Sequence, residues 1–381
     1  MIRIKSNKII LKNQLFDGYV YLDDGKITAV TEDERPANEV YDFTEKYLSP
    51  GFIDIHTHGG GGYAFADSKA EDVIKGCDFH LRFGTTTIVP TISASSFFAM
   101  KKSLKNIHEA KKSGKSLAHI LGAHLEGPYL SPKQCGAQCL NHITEPNRKE
   151  YVSLVENFGR SITRWTYAPE NDKDGEFCAF LTSHGIYVSA GHTDAKYEDI
   201  KVAIENGCNS ITHLYSCMST VTRDHGFRSL GVIESAYLRN ELYVEIIADG
   251  KHLPPELIRM IVKIKGTDKV ALVTDSLAVA GSEIKAGTMC GTDFIVEDGV
   301  AKLPDRSAFA GSIATADVLV RTLTKDCGFS FPESVKMLTA VQAEMLKLNR
   351  GEIKVGKDAD LIVFDENVKV SDVFVNGNKV I

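Results

Sequence analysis

The 381-residue sequence predicts an α/β fold in which a (β/α)8 barrel of the TIM type carries a small sheet domain built from both chain ends. Two observations lead to this prediction. Short apolar runs alternate with segments able to form helices throughout the middle of the chain, which is typical of parallel strands joined by helices. Both ends alternate apolar and polar residues instead, and they contain turn dipeptides that are typical of β-hairpins.

The two β-rich ends are predicted to form one domain, because both are short and they flank a single long middle region. Their turn signals are Asp17-Gly18, Asp24-Gly25 and Asn376-Gly377. We expect residues 1–49 and 346–381 to make up this domain and residues 50–345 to make up the barrel.

Eight apolar runs in the middle are assigned to barrel strands, at residues 51–56, 86–91, 120–126, 163–168, 186–191, 209–213, 243–249 and 270–275. Helix-forming segments lie between them, among them residues 70–82, 96–112, 195–206 and 254–264. Catalytic residues of such barrels lie at the carboxyl ends of the strands, so the residues at these ends are the candidates for function.

Composition excludes several classes of protein. The net charge of −6 argues against a general nucleic-acid or membrane-surface binder, but not against a small anionic ligand in a locally basic pocket. The first residues lack the apolar segment of a signal peptide, and no apolar run reaches membrane-spanning length. Eight scattered cysteines without a secretion signal indicate reduced thiols and a cytoplasmic location.

The first strand ends in two histidines, within "PGFIDIHTHGGGG". Side chains two residues apart on a strand point the same way, so His56 and His58 can hold one metal ion together. The glycines that follow let the backbone approach a ligand closely. Other strand ends carry Glu126, His192, His213 and Asp275. Histidine and carboxylate are ligands that suit zinc, iron or manganese.

Each of these residues also has a structural interpretation. Glu126 can cap a turn before Pro128, His192 can be a loop residue before a helix, His213 can be a core histidine, and Asp275 can cap a helix. The coincidence of all of them at predicted strand ends favours a metal site.

The residues resemble a known group of enzymes, the amidohydrolase superfamily, and within it the family of N-acetylglucosamine-6-phosphate deacetylases. The resemblance covers nearly the whole chain, through "PGFIDIHTHG", "HLEGPYLSPKQCGAQ", "SAGHTDA", "THLYSCMS", "IADGKHLPPE", "LVTDS", "FAGSIATA" and "GEIKVGKDADLIVFD". It implies a barrel capped by a β-sandwich, a homodimer, and hydrolysis of N-acetylglucosamine 6-phosphate to glucosamine 6-phosphate and acetate.

The resemblance also implies roles for the strand-end residues. Glu126, His192 and His213 match the ligands of the principal metal. His56 and His58 would complete a second site that shares Glu126, which gives one or two divalent ions per chain, with zinc as the first choice and iron or manganese as alternatives. Asp275 matches the catalytic aspartate, which takes a proton from the attacking water and returns it to the leaving nitrogen.

Further residues match substrate-binding segments of the family: Ala137, Gln138, Ser216, Cys217, Asp249, His252, Phe309, Ala310 and Gly311. Three of them depart from the family pattern, since many members have asparagine for Ser216, alanine for Cys217 and histidine for Gln138. Arg223 is the nearest match to an arginine that reaches the substrate phosphate across a dimer interface, although its loop is one residue shorter.

Three alternatives stay open. The enzyme can act on a different N-acyl amino sugar, or it can be a cyclic-amide hydrolase or deaminase of the same superfamily. Many cyclic-amide hydrolases use a carboxylated lysine on strand four, and "TRWTYA" contains no lysine. A non-catalytic scaffold is the third alternative, although such proteins usually lose the ligands that this chain keeps.

Overall fold

The computed structural model describes residues 1–381 apart from the side chain of residue 224. Its middle region is a barrel of parallel strands, and all eight predicted strands are confirmed. In chain order they are Phe52–Thr57, Thr85–Ser93, Ala123–Glu126, Ile162–Tyr167, Tyr187–Ala190, Cys208–Ile211, Tyr243–Ile246 and Val270–Leu272. The predicted third strand is shorter because the chain bends at Gly122 (φ 141°), where a Cβ atom would lie 2.7 Å from the carbonyl oxygen of Ser161.

A helix follows each barrel strand, as the alternating pattern predicts. The eight helices are Ala70–Leu81, Phe97–Ser113, Arg148–Phe158, Glu176–Ser183, Tyr197–Glu205, Val232–Leu238, Pro255–Lys265 and Ala316–Lys325. They bury one face against the barrel: in Pro255–Lys265 the buried side chains are Ile258, Ile261 and Val262, at helical spacing. Two short helices, Phe331–Lys336 and Ala340–Met345, follow.

The first and eighth barrel strands are joined most directly at their carboxyl ends. The amide of Asp275 donates to the carbonyl of His56 at 2.9 Å, and the amide of His58 donates to the carbonyl of Ser276 at 2.8 Å. Earlier along each strand, the amides of Ile53 and Leu272 instead donate to carbonyls of the segment that follows Phe331–Lys336. The barrel is therefore closed tightly at the end where the candidate residues lie.

Both chain ends pair in one largely antiparallel sheet, which confirms the predicted sheet domain and its sandwich class. Its strands are Ile2–Ile10, Leu15–Asp23, Lys26–Thr31, Glu39–Asp42, Tyr47–Pro50, Leu361–Phe364, Val370–Val375 and Asn378–Lys379. They share a core of their own that includes Ile4, Val20, Leu48, Leu361 and Phe374. The division of the chain after residues 49 and 345 stays a prediction.

The turn predictions for this sheet were right at two places and wrong at one. Asp24-Gly25 and Asn376-Gly377 both turn with positive φ angles, as two-residue hairpins require. Gly18 does not turn, because it lies inside the strand Leu15–Asp23. A Cβ atom there would lie 2.6 Å from the carbonyl oxygen of Thr31, so glycine is needed for close packing and not for a turn.

Three small antiparallel sheets were not predicted. The first pairs Gly59–Gly60 with Tyr63–Ala64, directly after the first barrel strand. A four-stranded sheet lies between the eighth barrel strand and its helix and consists of Ala286–Met289, Thr292–Glu297, Val300–Lys302 and Phe309–Gly311. A hairpin of Thr222–Asp224 and Phe227–Ser229 follows the sixth barrel strand. Among the described helices, none combines the length and the apolar character needed to cross a lipid bilayer.

Candidate metal centre

The carboxyl end of the barrel brings together all five residues proposed as metal ligands. They form two buried groups, and in each group one ligand atom per residue lies within 4.8 Å of the others. The first group is Glu126, His192 and His213, and the second is His56, His58 and Glu126. Because Glu126 belongs to both groups, the two candidate sites share one carboxylate.

Glu126 ends the third barrel strand and lies among the imidazoles. Its Oε1 atom is 3.1 Å from His192 Nε2, 3.0 Å from His213 Nε2 and 3.4 Å from His56 Nε2. Its Oε2 atom is 3.3 Å from His58 Nε2. The Nε2 atoms of His192 and His213 are only 3.2 Å apart. Ring nitrogens and carboxylate oxygens at these distances need protons or a cation between them, and the donor set suits a divalent metal.

The remaining ring nitrogens show how the imidazoles are oriented. The Nδ1 atom of His192 lies 3.0 Å from the carbonyl oxygen of Gln134, and the Nδ1 atom of His58 lies 3.1 Å from the hydroxyl of Ser93. A proton on Nδ1 leaves Nε2 free to bind a metal. Within the described part of the chain, neither ring nitrogen of the buried His56 has a hydrogen-bond partner.

Three of the strand-end residues also have an unusual backbone conformation. His192, His213 and Asp275 have φ angles of 47°, 30° and 47°, in the left-handed region that residues other than glycine rarely adopt. Such conformations cost free energy and persist where surrounding structure holds them, most often at functional sites. Their coincidence on three strands supports a functional role for this end of the barrel.

The electrostatics of the centre favour a bound cation. Burial lowers the pKa of His56, but the carboxylates of Glu126 and Asp275 outweigh burial and raise it to about 10. For Glu126 the directions are reversed, because burial raises the pKa of a carboxyl group. The charge of His56 and hydrogen bonds from His192 and His213 outweigh burial and hold the pKa of Glu126 well below its usual range. The ionised carboxylates are therefore stabilised by nearby positive charge, which protons on the imidazoles or a bound divalent cation can supply.

Asp275 follows the eighth barrel strand and flanks the same histidines. Its Oδ1 atom is 3.1 Å from His58 Nε2 and 3.5 Å from His56 Nε2. Burial raises the pKa of Asp275, but the charge of His56 and a hydrogen bond from His58 more than compensate and lower it. The carboxyl group is therefore ionised at neutral pH and able to accept a proton.

A cavity of about 280 Å³ opens directly beside these groups, and its walls include Asp275 and Glu126. Its volume suits a small polar ligand. Most of the predicted substrate-binding residues line it, namely Ala137, Gln138, Ser216, Cys217, His252, Phe309, Ala310 and Gly311.

Two other predicted residues do not line the cavity. Asp249 lies behind His252, and the Oδ2 atom of Asp249 is 2.8 Å from the Nδ1 atom of His252. Asp249 therefore orients the imidazole of His252. Arg223 lies on the exposed hairpin after the sixth strand, directly opposite Arg228. A single chain therefore places Arg223 outside the cavity.

Gln138 and Cys217 are the departures from the family pattern whose contacts are clearest. The amide of Gln138 donates from Nε2 to Glu126 Oε2 at 2.7 Å, and its Oε1 accepts from the amide of Ala94 at 2.9 Å. Gln138 thus holds the shared carboxylate. Cys217 packs against Gly136, where a Cβ atom would lie 2.3 Å from the cysteine sulfur.

Three cavity residues were missed in the sequence: Tyr215, Met289 and Ala308. Tyr215 lies inside the motif "THLYSCMS" and could have been found from it. Met289 and Ala308 belong to the region of the four-stranded sheet. No sequence pattern in this region indicated that it would lie against the cavity.

Comparison with known proteins gives a consistent result. Residues 47–380 match the amidohydrolase family. The chain is 31% identical to the N-acetylglucosamine-6-phosphate deacetylase of Bacillus subtilis, over 98% of this chain and 96% of that protein. It is 29% identical to the N-acetylgalactosamine-6-phosphate deacetylase of a Shewanella species, over 88% and 84% of the two chains.

Among solved structures, the fold matches a variant of the N-acetyl-D-glucosamine-6-phosphate deacetylase of Mycobacterium smegmatis in complex with N-acetyl-D-glucosamine-6-phosphate. The TM-score is 0.92 at 26% sequence identity, and the match covers 100% of this chain and 99% of that chain. The similarity therefore extends over the barrel and the terminal sheet together.

Proposed function

Because this chain belongs to the amidohydrolase family, we propose that it is a metal-dependent amide hydrolase that removes the acetyl group from N-acetylglucosamine 6-phosphate. The products are glucosamine 6-phosphate and acetate. The observation that carries the proposal is the position of Glu126, with one oxygen within 3.4 Å of three imidazole nitrogens, at a cavity that also contains Asp275.

The ligands of the proposed metal centre follow from the two groups. Glu126, His192 and His213 hold the principal ion, and His56 and His58 complete a second site with Glu126. Mixed histidine and carboxylate ligands suit zinc best, with iron or manganese as alternatives. A divalent cation supplies Lewis acidity, which makes water easier to deprotonate and an amide carbonyl more electrophilic.

Asp275 moves the proton in this proposal. Its ionised carboxylate accepts a proton from the water that attacks the acetyl carbonyl carbon. It then returns that proton to the amide nitrogen, because an amine anion is too poor a leaving group to depart without it. Its Oδ1 atom lies 3.1 Å from His58 Nε2, which places the carboxylate directly beside the candidate ligands.

His252 positions the substrate. Asp249 holds its Nδ1 atom at 2.8 Å, and the ring of Phe309 packs 5.0 Å from the imidazole ring. The orientation is therefore fixed from two sides, and the imidazole is available for a hydrogen bond to the amide or sugar of the substrate.

We propose that the protein is a homodimer and that the 6-phosphate of a substrate in one chain binds Arg223 of the other chain. Arg223 and Arg228 lie opposite each other on the exposed hairpin, where two like charges repel unless an anion or a partner compensates them. Phe227 on the same hairpin is 80% exposed, which is unusual for a phenylalanine and supports contact with another chain.

The working compartment is proposed to be the cytoplasm. All eight cysteines are free thiols, and four of them are only partly buried, as a reducing compartment allows.

A second candidate substrate is N-acetylgalactosamine 6-phosphate. It is favoured by the similarity of the chain to the N-acetylgalactosamine-6-phosphate deacetylase of a Shewanella species. The two sugars differ in one hydroxyl configuration, and discrimination would depend on residues of the cavity wall.

A substrate panel tests the proposal. Purified protein loaded with Zn²⁺ is assayed for acetate release from N-acetylglucosamine and N-acetylgalactosamine, each with and without the 6-phosphate. We expect the highest kcat/KM with N-acetylglucosamine 6-phosphate. Hydrolysis of a cyclic amide together with inactivity on all four sugars would contradict the proposal.

A further inference from the structure

A fully buried ion pair lies inside the barrel beside the histidines of the first strand. Arg164 on the fourth strand donates from a terminal nitrogen to Glu245 Oε1 on the seventh strand, and both side chains are completely buried. The other terminal nitrogen of Arg164 donates to the carbonyl oxygen of Ile55 at 3.2 Å. The pair therefore links three strands of the barrel below the cavity.

The second carboxylate oxygen of Glu245 points at His56. Its Oε2 atom has no hydrogen-bond partner among the residues that the structure describes, and it lies 3.7 Å from His56 Nδ1. This separation is an ion-pair contact and is longer than a hydrogen bond. Two buried polar atoms without partners thus face each other.

A buried ion pair is costly, because both charges lose their hydration, and their mutual attraction and the hydrogen bonds of Arg164 to Ile55 and Thr212 have to compensate for that loss. An apolar pair of similar size would cost less, so the pair calls for an explanation other than stability. The orientation of Glu245 Oε2 towards His56 provides one.

The outer partners of the candidate ligands differ in charge. The Nδ1 atom of His58 meets a hydroxyl, from Ser93, and that of His192 meets a backbone carbonyl. The Nδ1 atom of His56 faces a carboxylate. A carboxylate on the outer nitrogen is the strongest of these partners, since it selects the Nδ1–H tautomer and makes Nε2 a better donor to a metal.

We propose that Glu245, held in place by Arg164, is a positioning residue that sets the tautomer of His56 and so strengthens cation binding by the group His56, His58 and Glu126. This inference rests on the two-site metal centre of the proposed function. It predicts that the second site depends on a side chain that touches neither the cavity nor the substrate.

Glu245→Gln tests the proposal with little change in volume. Glutamine has one oxygen, and when that oxygen accepts from Arg164 its NH2 group faces His56 Nδ1. This favours a proton on Nε2, which cannot then bind a metal. Metal-free protein is titrated with Co²⁺, and the two binding steps are followed by visible absorption and by elemental analysis. We expect about a 10- to 100-fold loss of affinity at the second site and an unchanged first site.

Two further variants separate positioning from folding. Arg164→Met/Glu245→Met removes both charges without leaving either one unpaired, so it should fold and show the same selective loss. Ser189→Ala is the matched control, because Ser189 lies in the same buried polar layer and bonds to Thr212. It should bind both ions as the wild type does.

The outcomes are distinct. Equal Co²⁺ affinity at the second site in wild type and in the folded double variant overturns the inference, and equal weakening of both sites shows a merely structural role and also overturns it. A wild-type protein that binds a single ion overturns the two-site centre together with this inference. Acetate release measured on the same preparations tests the proposed function separately.

Discussion

The site has two layers that differ in how they are built. The layer of strand ends contains Glu126 and the four histidines around it, all buried and each in contact with another member. The second layer consists of segments inserted between barrel strands and helices, here called the loop layer, and contains Phe309 of the four-stranded sheet, which is 40% exposed, and the hairpin of Arg223. Buried titratable groups fill the first layer, whereas the second contacts solvent.

The difference indicates that the two layers have different functions, metal binding in the first and substrate recognition in the second. Strand ends hold side chains at fixed separations, as the placement of metal ligands requires, because the barrel backbone cannot shift without breaking its ladders. Loops can change length and sequence at little cost to the barrel, so they suit recognition of a particular sugar. We therefore expect large effects on the chemical step from the strand-end layer and smaller effects on substrate selectivity from the loop layer.

The largest effect is expected at Asp275. Asp275→Asn keeps the size of the side chain but removes the proton acceptor, so kcat should fall by about 10²–10⁴-fold. Bound metal and KM should change little, since Asp275 lies outside both ligand groups. Kinetics and elemental analysis on one preparation check this. Loss of metal in parallel with activity would instead make Asp275 a structural ligand.

A matched control for Asp275→Asn is Asp317→Asn. Asp317 is also a buried carboxylate, but it lies in the helix after the eighth strand and bonds to Thr315 and Arg321. Its variant should keep a kcat near that of the wild type.

The next effect concerns the loop layer and the phosphate. Unphosphorylated N-acetylglucosamine should have a kcat/KM at least about 10²-fold below that of the 6-phosphate, because cationic groups meant for the phosphate would be left unpaired. Steady-state assays with both sugars measure the ratio. Comparable values would mean that Ser216, Cys217 and the shorter Arg223 loop have changed the specificity.

The third prediction compares the two ligand groups within the strand-end layer. His56→Ala/His58→Ala should lower bound metal from more than one ion per chain towards one, since Glu126, His192 and His213 remain. Elemental analysis of metal-saturated protein measures it. His119→Gln is the control, because His119 is a histidine of the same barrel that pairs with Asp360 and belongs to neither ligand group. Equal metal content in all three proteins would exclude the second site.

The smallest effect is expected at Arg223. Arg223→Ala should lower kcat/KM for the 6-phosphate about tenfold, through the loss of one charged hydrogen bond, and leave the unphosphorylated sugar unaffected. Arg306→Ala is a suitable control, since Arg306 is an exposed arginine that pairs with Glu297. An equal loss with both sugars would show that the hairpin acts on folding or assembly and not on the phosphate.

Local sequence patterns predicted those residues of the site whose positions follow from a single strand and its end. His56 and His58 follow from alternation along a strand, and Glu126 and Asp275 from the rule that barrel function lies at strand ends. The same local reasoning failed at Gly18, where a neighbouring strand and not a turn requires glycine. It also gave no sign of Met289, which reaches the cavity from a sheet inserted far along the chain.

The amino-acid sequence alone was enough to establish the eight alternating strands, the pairing of the chain ends and the identity of the candidate ligands, because periodicity and motifs are carried by neighbouring residues. The contacts that give each ligand its properties required the folded barrel. Glu126 and His213 are 87 positions apart, and Arg164 and Glu245 are 81 apart, yet both pairs are in contact. Closure of the barrel brings such residues together, and no local pattern specifies which oxygen faces which nitrogen.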